Sequence, residues 1–225
     1  MPARAAVPDS AVEFFPALDA LSVVRHGFVG RLPGIDVATD RPVALDRLDG
    51  AHRAVREDLG LAKKFFATAE QVHGNEIVVI DSALRGDHCF EGADGLITNQ
   101  PEVSLGVYVA DCCAVFLVDP IRRCLGLVHS GKKGTGLAIV EKAIREMRAR
   151  FASAPRDLVV QLSSCIRPPH YEVDFAAEIL RQARAAGVEQ VHETRLCTAC
   201  DLERYYSYRA EKGRTGRMLA LLALR

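Results

Sequence analysis

His73, Cys112 and His129 are the residues whose types point most directly to chemistry. Each stands where an apolar run stops beside Gly, Asp or Ser: Gln71-Val72-His73-Gly74, Ala110-Asp111-Cys112 and Val128-His129-Ser130. Two imidazoles and one thiolate suit a borderline-soft cation such as Zn²⁺, with a fourth position left for water or substrate. No two of the three share a compact ligand spacing, so from the pattern alone three strand-end residues satisfied within a core are the commoner reading. Next to His129, the run Ser130-Gly131-Lys132-Lys133-Gly134-Thr135-Gly136 precedes a helical pattern. Free backbone N–H groups and the positive end of a helix would hold a phosphate there; a flexible turn with solvated lysines fits as well. It is not a Walker A loop, because its lysines precede the second glycine. Asp111 could orient a ligand or accept a proton, or simply end a strand. Cys197-Thr198-Ala199-Cys200 has no second CxxC or paired histidines, and a buried structural role is expected for it.

Strands must position these groups. Val107–Ala110, Ala114–Val118 and Cys124–Val128 are short apolar runs with β-branched and aromatic content, separated by Asp111-Cys112-Cys113 and by Asp119-Pro120. Further strands are expected at Val12–Phe15, Leu21–Val24, Phe65–Ala69, Asn75–Ile80, Asp94–Thr98, Leu158–Leu162 and Met218–Leu224. Helices are expected over Ala51–Leu59, capped by Asp49 and stopped by Gly60, over Leu137–Phe151 and over Phe175–Ala186. Leu32–Pro42, Ser82–Ala93 and the proline-bearing Ser163–Pro169 read as loops. Strands outnumber helices and include hairpins, so the fold class is mixed α/β with at least one antiparallel or mixed sheet.

The chain has 225 residues, 49% hydrophobic and 26% charged, with 29 basic and 29 acidic side chains. Zero net charge gives no support to nucleic acid or an anionic membrane as a partner, while a locally basic pocket stays open. No apolar run approaches the ~20 residues of a membrane span, and Met1–Ser10 lacks a signal pattern, so a cytoplasmic protein is expected. Residues 1–10 read as a loose tail and 11–225 as one catalytic domain. Seven cysteines in such a chain are expected to be reduced, most as small buried hydrophobes.

Taken in order, several tags resemble one family. Gln71-Val72-His73-Gly74, Ala93-Asp94-Gly95-Leu96-Ile97-Thr98, Ala110-Asp111-Cys112 and Val128-His129-Ser130-Gly131 are similar to signatures of the multicopper polyphenol oxidase (laccase-like) family. That family includes purine nucleoside phosphorylases and peptidoglycan editing factors. His26-Gly27-Phe28 through Arg31, Cys165-Ile166-Arg167-Pro168, Tyr171-Glu172-Val173, Cys197-Thr198-Ala199-Cys200, Tyr206-Ser207-Tyr208-Arg209 and Thr215-Gly216-Arg217-Met218 extend the resemblance over nearly the whole chain.

The resemblance implies an α/β domain of layered mixed sheets and helices with laccase-like (cytotoxic-necrotizing-factor-like) architecture. It also implies one zinc held by His73, Cys112 and His129, and phosphorolysis of adenosine, inosine and 5′-methylthioadenosine, with adenosine deamination as a second activity. A purine nucleoside and inorganic phosphate are then the partners, and the chain a monomer or homodimer. Zinc is preferred to copper: a multicopper oxidase needs on the order of ten histidines, partly in close pairs, whereas this chain has seven well-spaced ones. On this reading Lys133, Arg31 and the backbone of Gly131–Gly136 orient phosphate, with Ser130, Lys132, Gly134 and Thr135 in the same binding segment and Asp111 beside the metal. Where the family usually carries His-Ala-Gly-Trp-Arg-Gly, this chain has His129-Ser130-Gly131-Lys132-Lys133-Gly134, which removes an aromatic wall and exchanges a bidentate guanidinium for a point charge. The alternatives are an amidase acting on muramoyl-L-serine fragments and a zinc-binding member with altered catalysis.

Overall fold

Two six-stranded sheets set the architecture of the computed structural model, which describes residues 11–225; the tail expected over 1–10 lies outside the described residues. In chain order the elements are β1 (Val12–Glu13), α1 (Pro16–Asp19), β2 (Val24–Val29), α2 (Arg41–Asp58), β3 (Phe65–Ala69), β4 (Ile77–Ile80), β5 (His88–Phe90), β6 (Gly95–Thr98), β7 (Val103–Val109), β8 (Cys113–Asp119) and β9 (Cys124–Ser130). There follow α3 (Lys132–Gly136), α4 (Ile139–Phe151), β10 (Val159–Leu162), α5 (Phe175–Ala185), β11 (Gln190–Glu193) and β12 (Met218–Leu224). One sheet has the order β1-β2-β12-β7-β3-β5, the other β11-β10-β8-β9-β6-β4, and both mix parallel and antiparallel pairs. This is the mixed α/β fold expected. Among the described residues, no helix is long and apolar enough to cross a membrane.

The side-chain period of two along a strand explains the layering. Ala114, Phe116 and Val118 of β8 join Leu105 and Val107 of β7 and Leu219–Leu224 of β12 in the core between the sheets. Cys113, Val115 and Leu117 point the other way, into a second core with Ile144 and Met147 of α4 and Ile179 and Ala183 of α5. Because β8, β9 and β12 are buried throughout, they read as continuous apolar runs in the sequence.

Several expected boundaries shift, each for a local reason. The helix expected from Ala51 begins at Arg41: Asp40 caps it, its Oδ1 accepting the Val43 N–H at 3.1 Å, and Pro42 occupies the first turn, where no N–H partner is needed. Asp49 lies inside that helix and pairs with Arg53. Leu21 belongs to the turn leaving α1, its N–H donating to the Leu18 carbonyl at 3.0 Å. The glycine-rich run after His129 is a short helix, α3, and Ala138, in the left-handed region at φ 54°, separates it from α4. The loop around His88 contains β5, and β11 follows α5 as a parallel neighbour of β10. Three cysteines are buried, Cys112 and Cys197 are half-buried, and Cys89 and Cys200 are exposed. The buried role expected for Cys200 therefore does not hold.

Candidate metal centre

His73, Cys112 and His129 converge at one end of the two sheets. Their ligand atoms lie within 4.8 Å of one another, the only such group of three among the described residues. His129 continues the Leu125–Leu127 face of β9, Cys112 sits in the tight turn between β7 and β8, and His73 lies in the loop between β3 and β4. The imidazoles of His73 and His129 meet edge to face, with ring centroids 4.8 Å apart.

Asp94, immediately before β6, assembles the group. Its carboxylate is fully buried; Oδ1 accepts the His73 N–H at 2.8 Å and Oδ2 the Gly74 N–H at 2.6 Å. Oδ1 also lies 2.8 Å from His129 Nδ1. With the carboxylate ionised, that contact places the His129 proton on Nδ1 and directs Nε2 toward Cys112, the arrangement by which a carboxylate orients a metal-ligating histidine. Burial raises the Asp94 carboxyl, but the donors from His129, Gly74 and His73 outweigh it and hold the group below the usual range. Burial likewise pushes the Cys112 thiol up, yet His129 and His73 bring it down to about 6. Burial pushes His129 down, while Cys112 and Asp94 carry it up to about 9. The metal-free centre is thus a thiolate–imidazolium pair, and a cation would take the place of the shared proton.

Backbone strain and close packing hold these three side chains in place. Gln71, His73 and Asp111 all take positive φ, at 65°, 61° and 83°. The Gln71 amide brackets the Tyr108 backbone, donating to its carbonyl at 2.5 Å and accepting its N–H at 3.0 Å. Asp111 is buried: Oδ1 accepts the Thr198 hydroxyl and Oδ2 the Arg209 N–H, both at 2.7 Å, and its carbonyl accepts the Ile166 N–H at 2.8 Å. Both carboxylate oxygens therefore serve to fix the turn that carries Cys112. A Cβ on Gly131 would stand 2.5 Å from Cys112 Sγ, so only glycine lets α3 approach the thiol.

The centre opens into a cavity of about 910 Å³. Its lining carries five cations (Arg41, Lys132, Lys133, Arg209 and Arg217) against the single carboxylate of Asp111, which favours an anionic ligand. Tyr108, Tyr171, Phe175 and Tyr208 supply aromatic surface. Lys132 and Arg209 share Glu172, at 3.0 and 3.2 Å, and Arg217 is held by the Thr215 and Gly216 carbonyls at 2.9 Å each. Among the described residues Lys133 has no ion-pair or hydrogen-bond partner for its ammonium.

Not every expected residue reaches the cavity. Arg31 donates to Glu211 at 2.7 Å and to the Tyr205 carbonyl at 3.2 Å, lies 4.4 Å over the Tyr206 ring, and is absent from the lining. Ser130 and Thr135 hydrogen-bond each other at 2.8 Å in the interior. Gly134 packs where a Cβ would meet the Gly74 carbonyl at 3.2 Å. The Thr135 and Leu137 N–H groups are taken by the Gly131 and Lys133 carbonyls, so any anion cradle in this segment rests on the N–H groups that precede Thr135. Arg41, Arg209, Arg217, Tyr171 and Asp94 were given no role from sequence. A charged residue placed directly before a short, mostly apolar strand, as Asp94 is before β6, was the available signal for one of them.

Comparison with known proteins places the chain. The model of the family described as multi-copper polyphenol oxidoreductase laccase matches residues 38–179 and 173–225. The chain is 28% identical over 241 residues to the purine nucleoside phosphorylase YlmD of Geobacillus stearothermophilus, covering 89% of this chain and 88% of that one. It is 30% identical over 234 residues to a purine nucleoside phosphorylase of Deinococcus radiodurans, covering 89% of each. The crystal structure of YlmD from Geobacillus stearothermophilus superposes with a TM-score of 0.75 at 25% identity, over 94% of each chain.

Proposed function

The chain belongs to the multi-copper polyphenol oxidoreductase laccase family, and from that premise we propose that it is a zinc-dependent purine nucleoside phosphorylase. One observation carries the reading: a His–Cys–His metal group opens into a cavity lined by both cations and aromatic rings. Relatives named purine nucleoside phosphorylase support it over most of the chain. Adenosine, inosine and 5′-methylthioadenosine are the substrates proposed, with adenosine deamination as a second activity.

His73, Cys112 and His129 would hold the metal, and the donor set fits: a lowered thiol, two imidazoles and a carboxylate behind one of them leave a fourth position open. When bound, zinc supplies a Lewis acid that polarises an oxygen ligand. The protein's own groups do the rest. The free ammonium of Lys133 takes a phosphate oxygen, while Lys132 and Arg209, already neutralised in part by Glu172, contribute at the mouth. Tyr171 and Tyr208 offer faces for a purine, in place of the tryptophan that Lys132 replaces. Phosphate held against the sugar then displaces the base: the new C1′–O bond forms as the N-glycosidic bond breaks and the proton of hydrogen phosphate passes to the departing purine, giving free base with ribose 1-phosphate, or with 5-methylthioribose 1-phosphate from 5′-methylthioadenosine. Asp111 acts as a positioning residue for Cys112.

The test is turnover of the three nucleosides with and without inorganic phosphate, beside a muramoyl-L-serine amide without it. Free base formed only with phosphate supports the proposal. Amide hydrolysis with inert nucleosides overturns it in favour of the amidase.

A further inference from the structure

The Cys197-Thr198-Ala199-Cys200 segment lies outside the cavity lining and takes no part in the reaction above. It folds as one turn of 3₁₀ helix, Thr198–Cys200, closed by the Cys200 N–H donating to the Cys197 carbonyl at 3.1 Å. Cys197 is the extended residue that opens the turn and Cys200 the third residue after it; a rise of ~2 Å per residue sets their Cα atoms ~6 Å apart, within the span a disulfide bridges. The Cys197 thiol lies 3.9 Å from the Arg167 carbonyl, a weak contact that leaves its sulfur available. Cys200 is exposed and Cys197 half-buried, so a reagent can reach the pair. Cys113 and Cys165 are both buried, and Cys89 is exposed on β5.

Behind this turn lies the metal centre. Thr198, between the cysteines, is buried; its N–H donates to the Cys165 carbonyl at 3.2 Å and its hydroxyl to Asp111 Oδ1 at 2.7 Å. Asp111 in turn precedes Cys112 in the strained β7–β8 turn. The CxxC is therefore one hydrogen bond from the segment that presents a metal ligand.

We propose that Cys197 and Cys200 form a reversible dithiol–disulfide site, oxidised by low-molecular-weight disulfides of the glutathione class, whose closed form pins the turn that holds Thr198 against Asp111. The neighbouring Cys197 holds the exposed Cys200 thiol above its ordinary range, so Cys200 first gives its proton to solvent; the thiolate then attacks oxidised glutathione, breaking its S–S bond and releasing one glutathione, which takes up a proton. The Cys197 sulfur then attacks the Cys200 sulfur of the mixed disulfide, forming the protein disulfide and expelling the second glutathione. Two protein thiols lose two electrons and two protons, and the reagent gains both.

Trypsin isolates both cysteines in one peptide, residues 196–204, which contains no other cysteine. Incubation of the full-length protein with oxidised glutathione, alkylation of free thiols and peptide mapping test the site. The expected result is a 196–204 peptide lighter by two hydrogens, unalkylated at both cysteines and restored by dithiothreitol, with Cys113 and Cys165 still alkylatable after denaturation. Cys197→Ser should trap glutathione on Cys200. The proposal is overturned if wild-type Cys197 and Cys200 stay alkylatable while Cys89 is fully modified, or if wild-type Cys200 keeps a stable glutathione adduct. The readout is independent of nucleoside turnover, so failure of the phosphorylase reading would leave it intact.

Discussion

Replacing Asp94 by asparagine changes one atom and tests how the centre is organised. The carboxylate serves three donors: the His73 N–H, the Gly74 N–H and His129 Nδ1. An amide can keep its oxygen at the Oδ1 position, facing His73 and His129, only by turning its NH₂ toward the Gly74 N–H. The opposite orientation sets NH₂ against both the His73 N–H and a protonated Nδ1, and would move the His129 proton to Nε2, the nitrogen facing Cys112. The first orientation is the cheaper, leaving one buried N–H against a donor at a cost of about 1–3 kcal/mol. It also removes the charge behind His129, and loss of such an outer carboxylate typically weakens metal binding about 10–100-fold, or about 1.4–2.7 kcal/mol. Zinc titration against a competing chelator, beside a thermal melt, measures both effects. Asp94→Asn should stay folded with a lowered melting temperature and zinc affinity reduced at least about tenfold. A variant that melts lower yet binds zinc within about twofold of wild type would refute the role given to Asp94.

Gly131→Ala should displace the Cys112 thiol and weaken zinc binding about 10–100-fold while the fold persists, read by the same titration. Lys133→Met should leave zinc content unchanged and raise KM for phosphate about tenfold or more, the worth of a charge-assisted hydrogen bond; an unchanged KM would take Lys133 out of the phosphate site. Burial holds His26 and His52 down at about 4 from 6.5. The unfolded chain therefore binds more protons than the native one between those values, so stability present above pH 6.5 is lost as pH falls through about 4. Each residue forfeits up to about 3 kcal/mol. Denaturant midpoints at pH 7 and pH 4.5 should show the fall, and His52→Phe should reduce it.

How much was legible in the sequence differs by element. β8, β9 and β12 were plain because strands buried on both faces read as unbroken apolar runs, whereas β7 was read only from Val107 because Ser104 and Gly106 interrupt its apolar pattern. The start of α2 was hidden because Pro42 and Gly50 look like breakers, although Pro42 sits in a first turn and Gly50 on an open helix face where an added Cβ would touch nothing. The ligand trio was visible as three strand-end residues, but spacing could not join His73 to Cys112 and His129, since their proximity comes from the sheet order β8-β9-β6-β4 and from Asp94. The cationic wall was missed for the same reason: Arg41, Arg209 and Arg217 meet Lys133 only after the chain folds. Arg31 shows the converse, a cation beside a family-like motif whose charge is already engaged by Glu211.

The central claim is that His73, Cys112 and His129 hold the metal on which phosphorolysis in this cavity depends. The most direct test follows bound zinc and ribose 1-phosphate together, in wild type and Cys112→Ala, with adenosine and phosphate supplied. The account predicts adenine and ribose 1-phosphate in equal amounts from zinc-loaded wild type, and loss of both zinc and product in a folded Cys112→Ala. Equal ribose 1-phosphate production by a zinc-free Cys112→Ala would contradict it.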